Sequence, residues 1–261
     1  MYPLISTPLG SVTVYTVSAL IGFALAGLLV LLISRRFGVK RDDAVYIYVF
    51  ASLGYGVGAK ILALIFNLGD MFTDLFAIGS VDDAVDFYAR YVASGFSVQG
   101  GVLGFLLVSC FMARFYGVDR GKTVPLMLPA LCMINAFTRI GCFMNGCCYG
   151  ISCEHGVVFP EGGAAPAGVP LLPTQLISSG INVLLVFVSL MIWKILARKG
   201  RAALSFPVFL IVFNICRFGM EFLRGDHGPG VTAVMVAAAA APFISALWIA
   251  LDIKKSSTYN L

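Results

Sequence analysis

The sequence predicts an all-α polytopic membrane protein with seven transmembrane helices, its N-terminus outside and its C-terminus cytoplasmic. Three observations carry that prediction. Of 261 residues, 59% are hydrophobic and 12% charged, about half the 25% or so of charge that a soluble domain carries. Apolar runs of roughly 20 residues recur along the chain, each long enough to cross about 30 Å of hydrocarbon as a helix. The lysines and arginines between those runs gather on alternate loops. This composition excludes a soluble enzyme, a disordered chain and a nucleic-acid-binding domain. The net charge of +5 therefore reports loop orientation before it reports any anionic partner.

The runs lie near residues 12–33, 44–66, 96–116, 124–140, 174–196, 203–222 and 232–251. The first is too long for the apolar stretch of a cleavable signal peptide and is followed by Arg35 and Arg36, so it reads as a span. The fourth is short, and ends in the Gly-rich segment Arg139–Gly150, where irregular backbone at membrane depth needs protein or a water-filled cavity around it. Arg35, Arg36, Lys40 and Arg41 follow the first span, Arg114, Arg120 and Lys122 the third, Lys194, Arg198, Lys199 and Arg201 the fifth, and Lys254 and Lys255 the seventh. The opposite loops hold Arg90 alone, among Asp70, Asp74, Asp82, Asp83 and Asp86. The positive-inside rule then sets the orientation and requires an odd number of spans. Residues 1–261 read as a single transmembrane domain with outward-facing segments near 67–95 and 141–173. Val81–Ala93 alternates acidic and apolar residues, as either an amphipathic helix on the outer leaflet or a solvated loop helix would. Residues 160–173, rich in Gly, Ala and Pro, are the one linker-like stretch.

Lys60, Arg139, Arg217 and Arg224 fall in or at the ends of spans, on the outward side. An ionised group near the bilayer centre costs about 2.5–3.5 kcal/mol, less near the interface, and faces a partner or a cavity. Their one nearby helical acid is Glu221, four residues after Arg217 and three before Arg224 on the same face. One carboxylate neutralises one guanidinium, which leaves arginine free for an anion at headgroup depth. A phospholipid phosphate suits bidentate guanidinium binding; simple anchoring of helix ends by snorkelling is the plainer alternative. Gly54 and Gly58 on the second span read as small residues for close helix packing. For Gly100 and Gly101, packing and admission of a lipid headgroup to the backbone are both open. Tyr15 sits near the outer end of the first span, an ordinary place for an interfacial tyrosine.

Cys142, Cys147, Cys148 and Cys153, with His155 close by, cluster on the outward side. Three readings stand: a disulfide of Cys142 or Cys147 with Cys153, buried unpaired thiols, or a metal site or reactive thiolate. The last is disfavoured because no pair has C-x-x-C spacing and adjacent cysteines suit a tetrahedral site poorly.

Six ordered segments now form a pattern. They are Tyr15 with Ile21-Gly-Phe23, Asp42-Asp43 with Gly58-Ala-Lys-Ile-Leu62, Gln99-Gly-Gly-Val-Leu-Gly104, Arg139-Ile-Gly-Cys-Phe-Met-Asn-Gly-Cys-Cys-Tyr-Gly150, Pro173-Thr-Gln-Leu176 and Arg217-Phe-Gly-Met-Glu-Phe-Leu-Arg224. Together they resemble the bacterial prolipoprotein diacylglyceryl transferase family over nearly the whole chain. The resemblance implies a multi-pass enzyme of the bacterial inner (cytoplasmic) membrane. It would take phosphatidylglycerol or a related anionic phospholipid and move the diacylglyceryl group onto a cysteine thiol of a preprolipoprotein, releasing glycerol phosphate. It further implies that Arg139, Arg217 and Arg224 hold the phosphate, that Glu221 orients Arg217, and that Gly150 leaves backbone room. Tyr15, Gly100, Gly101, Cys142, Asn145 and Cys147 would stand at the substrate, with no metal and no soluble cofactor. Four positions depart from the family pattern. Lys60 stands where the family usually has Arg, and Gln99, which falls with Arg139, Arg217 and Glu221 among the catalytic positions, stands where the family has His before Gly-Gly and cannot usefully accept a proton. Cys142 and Cys147 stand where the family signature has Asn and Glu. The alternative reading is a divergent lipid-binding membrane protein with a different thiol or other acceptor, or a redox-active or structural cysteine cluster and no diacylglyceryl transfer.

Overall fold

The fold was obtained as a computed structural model, which describes residues 4–7, 10–93, 96–161 and 164–226, and six further residues between 239 and 246. The seventh run, 232–251, lies largely outside the described residues, as does His227. Among the described residues, six helices are long and apolar enough to cross a membrane. They are α1 (Val14–Ile33), α2 (Arg41–Phe66), α5 (Val98–Phe115), α6 (Arg120–Asn145), α7 (Thr174–Arg198) and α8 (Ser205–Glu221). The described residues also form two short helices, α3 (Leu68–Phe76) and α4 (Val81–Phe87), and two hairpins: β1 (Leu4–Thr7) with β2 (Gly10–Thr13), and β3 (Ser152–Val158) with β4 (Pro170–Leu171). The protein is a mostly helical multi-pass membrane protein. Its long helices turn Leu20, Leu28, Leu53, Leu107, Phe111, Leu184 and Phe187 outward, where lipid is the natural neighbour.

The chain forms two compact units, residues 34–127 and residues 1–33 with 128–261. In the first, α2 and α5 meet along a seam of glycine. A Cβ on Gly54 would lie 2.6 Å from Val108 Cγ2 and 2.9 Å from the Gly104 carbonyl oxygen, and one on Gly101 would lie 2.7 Å from the Tyr55 ring. Only hydrogen fits there, the close approach that drives helix association in lipid. Lys60 places its ammonium 5.0 Å from the centroid of the Phe96 ring. The acidic segment is more ordered than a loop. Ser80 and Asp83 form a reciprocal capping box at the start of α4, and its hydrogen bonds hold the Asp83 carboxyl below its usual range. Arg90 bonds Asp74 at 2.8 Å, as does the Tyr91 hydroxyl. Val81, Val85, Tyr88 and Val92 remain exposed in α4 and the turn after it.

In the second unit, α1 and α7 are tied to the backbone of α6. Ser18 donates to the Phe137 carbonyl and Ser179 to the Ala136 carbonyl, each at 2.9 Å. Gly22 faces Phe137, where a Cβ would lie 2.7 Å from the phenylalanine Cβ. Two expectations need correction here. The fourth span is longer than 124–140, because a helix propagates on backbone hydrogen bonds and does not stop at a charge. It runs through Arg139 to Asn145, so half of the Gly-rich segment is helical. Residues 160–173 are also no free linker: Ala165 and Leu171 are buried with Phe159 against Phe143, Tyr149 and Val157.

Candidate active site

The site is built where α6 ends. Gly146, at φ 72°, stops the helix. Its N–H donates to the Phe143 carbonyl at 3.2 Å, and the Cys147 N–H donates to the Cys142 carbonyl at 3.1 Å. This is the paired closure in which the second residue past a helix folds back over the residue five before it. Here that contact brings together Cys147 and Cys142. The next residue, Cys148, has φ 57°, a left-handed conformation uncommon for any side chain but glycine and stabilised only by its surroundings. Those surroundings are explicit: the first two residues of α7 grip the loop. Thr174 Oγ1 donates to the Cys148 carbonyl at 2.9 Å, and Gln175 Nε2 donates to the Cys147 carbonyl at 2.8 Å. As a result the sulfurs of Cys142, Cys147 and Cys148 all lie within 4.8 Å of one another.

Gly150 joins this loop to the segments on either side. Its N–H donates to the Leu172 carbonyl at 3.0 Å, and it pairs as an antiparallel bridge with Arg224, flanked by bonds from Ile151 to Leu223 and from Gly225 to Tyr149, each 3.0 Å. A Cβ on Gly150 would lie 2.6 Å from the Leu172 carbonyl oxygen, so a side chain there would pry the junction apart. The bridge carries the end of α8, and with it Arg224, to the cysteine loop.

Three guanidiniums gather there. Arg217 pairs with Glu221 at 2.9 Å, and Arg224 reaches the same carboxylate oxygen at 3.6 Å. Arg224 also makes a forked bond to Asp226, from Nε to Oδ1 at 2.9 Å and from Nη2 to Oδ2 at 2.7 Å. Burial lowers the pKa of the Arg224 guanidinium, but the bond to Asp226 and the charges of Cys148, Asp226 and Glu221 together outweigh it and hold the group above the ordinary arginine range. Arg139, three residues before Cys142 and on the same face of α6, hydrogen-bonds the Cys148 thiol and interacts electrostatically with Arg224. Arg217 interacts with Arg139, Arg224 and Cys148. Hydrogen bonds from the Cys142 and Cys147 thiols, with the positive charges of Arg139 and Arg224, draw the Cys148 thiol well below the ordinary thiol range. Tyr15, at the start of α1, lies within electrostatic reach of Arg139 and of all three thiols. Asn145, the exposed last residue of α6, hydrogen-bonds Cys147.

Among the expected site residues, this unit thus brings together Tyr15, Arg139, Cys142, Asn145, Cys147, Gly150, Arg217, Glu221 and Arg224. Gln99, Gly100 and Gly101 belong to the other unit. There Gln99 is exposed and accepts a bond from Ser97 Oγ at 3.2 Å, and both glycines are packed against α2. All seven cysteines are free thiols, so neither disulfide to Cys153 is formed. The trio contains Cys142, Cys147 and Cys148 only, while His155 is exposed on β3. Sequence reasoning missed Asp226, Thr174 and Gln175. The conspicuous Pro-Thr-Gln start of α7 was the available signal for the last two.

Comparison with known proteins points the same way. The prolipoprotein diacylglyceryl transferase family profile matches residues 4–253. The phosphatidylglycerol–prolipoprotein diacylglyceryl transferase of Clostridium tetani is 27% identical over 217 residues, covering 82% of each chain. A second such transferase of Clostridium perfringens is 31% identical over 217 residues, covering 82% of this chain and 80% of the relative. That of Dehalococcoides mccartyi strain 195 is 27% identical over 178 residues, covering 62% of this chain and 67% of the relative. With the arginine cluster seated on the signature segment and the profile matched over nearly its full length, this chain belongs to the prolipoprotein diacylglyceryl transferase family.

Proposed function

We propose that the protein transfers the diacylglyceryl group of phosphatidylglycerol to a cysteine thiol of a preprolipoprotein, at the outer face of a bacterial inner membrane. It would have seven spans in a single transmembrane domain over residues 1–261, its N-terminus and the segments near 67–95 and 141–173 outside, and its C-terminus in the cytoplasm. The observation that carries this reading is the meeting of Arg139, Arg217 and Arg224 with, among the described residues, only Glu221 and Asp226 as carboxylate partners. Three cations against two acids leave a positive excess in a partly buried place, which suits one phosphodiester.

The reaction places a thiol sulfur on the terminal glyceryl carbon while the carbon–oxygen bond to phosphate breaks. Charge grows on the departing phosphate, so fixed guanidiniums stabilise the transition state more than the ground state. Arg139 is held at the end of a long helix, Arg217 by Glu221 and Arg224 by its fork to Asp226, so little reorganisation is needed as charge develops. Tyr15 and Asn145 border the same place and are suited to orienting the headgroup; Gly150 keeps the junction beneath it closed. Gln99 supplies no base for the thiol, because an amide cannot usefully accept a proton. The test is to incubate the purified chain with phosphatidylglycerol vesicles and a lipobox cysteine peptide. The reading requires a thioether-linked diacylglyceryl peptide and stoichiometric glycerol phosphate; a correctly folded protein that yields neither contradicts it.

A further inference from the structure

The three thiols raise a separate question: what replaces the base that Gln99 cannot be. Cys142 and Cys147 are clasped by the helix closure, Cys148 is held in the left-handed region, and the loop carbonyls are fixed by Thr174 and Gln175. Gln175 is 1% exposed, and its Oε1 has no hydrogen-bond partner among the described residues. So rigid a presentation of three sulfurs is more than packing requires. Three thiolates around a tetrahedral Zn²⁺, at about 2.3 Å each, stand roughly 3.8 Å apart, close to the spacing already present here, with every pair within 4.8 Å. No fourth Cys, His or carboxylate joins the group among the described residues. Three protein ligands with a position left open is the catalytic arrangement of zinc; a structural site closes with four. Arg139 and Arg224 stand beside the sulfurs.

We propose that Cys142, Cys147 and Cys148 bind a thiophilic divalent cation of the zinc class whose open fourth position takes the acceptor cysteine. This deepens the transferase reading and rests on it for the identity of the acceptor. A thiol that coordinates such an ion loses its proton outright, here to water, so no side-chain base is needed. The coordinated sulfur then donates an electron pair to the glyceryl carbon, and the carbon–oxygen pair departs on phosphate. One S–C bond forms, one C–O bond breaks, and nothing is oxidised or reduced. The adjacent cysteines, ill suited to a tetrahedral site by spacing alone, serve because the left-handed turn at Cys148 lets both sulfurs face Cys142.

The full-length protein, stripped of metal in phosphatidylglycerol nanodiscs, is titrated with Zn²⁺ and separately with Co²⁺. The proposal expects about one equivalent of either ion per chain and a sulfur-to-cobalt charge-transfer band, both lost in Cys147→Ser. It also expects a shift of that band when lipobox peptide is added. Zinc should protect the three thiols, but not Cys153, from alkylation, a readout on the wild-type chain that stands even if a variant misfolds. Stripping should slow transfer at least about tenfold, with recovery on adding Zn²⁺. Substoichiometric metal, a cobalt spectrum without sulfur character, or full transfer by the stripped protein overturns the metal site and leaves the transferase standing. Stoichiometric metal with no transfer from any form supports the site and overturns the transferase.

Discussion

Glu221 is 2% exposed and lies between two guanidiniums, 2.9 Å from Arg217 and 3.6 Å from Arg224. Removing one partner of a buried ion pair leaves the other charge uncompensated, typically at about 3–5 kcal/mol. Glu221→Gln should therefore lower the thermal midpoint of the detergent-solubilised protein markedly. Added phosphatidylglycerol should restore more of that loss in the variant than it gains in the wild type, because its phosphate substitutes for the missing carboxylate. An unchanged midpoint would mean that Glu221 does not neutralise the cluster. The spacing of Arg217, Glu221 and Arg224 was legible in the sequence, since i, i+3 and i, i+4 neighbours on a helix must share a face. Asp226 was not, because an acid two residues past an arginine in a loop has no periodicity to betray it. The cysteine cluster was legible, but which of its thiols meet was not: C-x-x-C spacing is a rule for ligands on regular turns, whereas Cys142 and Cys147 meet through a helix closure that Gly146 alone announces.

Among the elements, the α2–α5 seam gives a paired prediction. A Cβ on Gly104 would overlap the Gly54 carbonyl oxygen, whereas one on Gly56 meets nothing within 4 Å. Gly104→Val should destabilise by about 1–3 kcal/mol or more, and Gly56→Ala should be neutral or slightly stabilising, as read from thermal midpoints in the same detergent. Equal effects would show that the seam is not close-packed. That α2 and α5 are membrane helices followed from apolar length alone, and the glycines on α2 read correctly as packing residues. The extent of α6 did not follow. Hydropathy falls at Arg139, but backbone hydrogen bonding is indifferent to that charge once protein surrounds it, and the helix continues to Asn145. Nor were β3 and β4 legible: their short register over Phe159 and Leu171 has too few residues for an alternating pattern to stand out.

At the scale of the molecule, the polytopic class was legible from composition and run length, because a charge content about half that of a soluble domain coincides with repeated apolar runs long enough to span a bilayer. Orientation rests on the asymmetry of lysine and arginine between loops. It predicts that alkaline phosphatase fused after Lys255 is inactive while a green fluorescent protein fused there fluoresces; active phosphatase at that position would invert the topology. Two compact units, one holding the glycine seam and the other the arginines and thiols, suggest that stability and chemistry can be perturbed separately. Substitutions in the seam should therefore lower the midpoint before they alter the chemistry of properly folded protein.

The central claim is that Arg139, Arg217 and Arg224 act together on one lipid phosphate. Arg139→Ala tests it most directly, because no carboxylate among the described residues pairs with that side chain, so its loss strands no buried acid. In the transfer assay with phosphatidylglycerol and lipobox peptide, the variant should insert and unfold like the wild type but lose activity by a factor on the order of 10²–10³. Wild-type turnover by a correctly inserted Arg139→Ala protein would contradict the account.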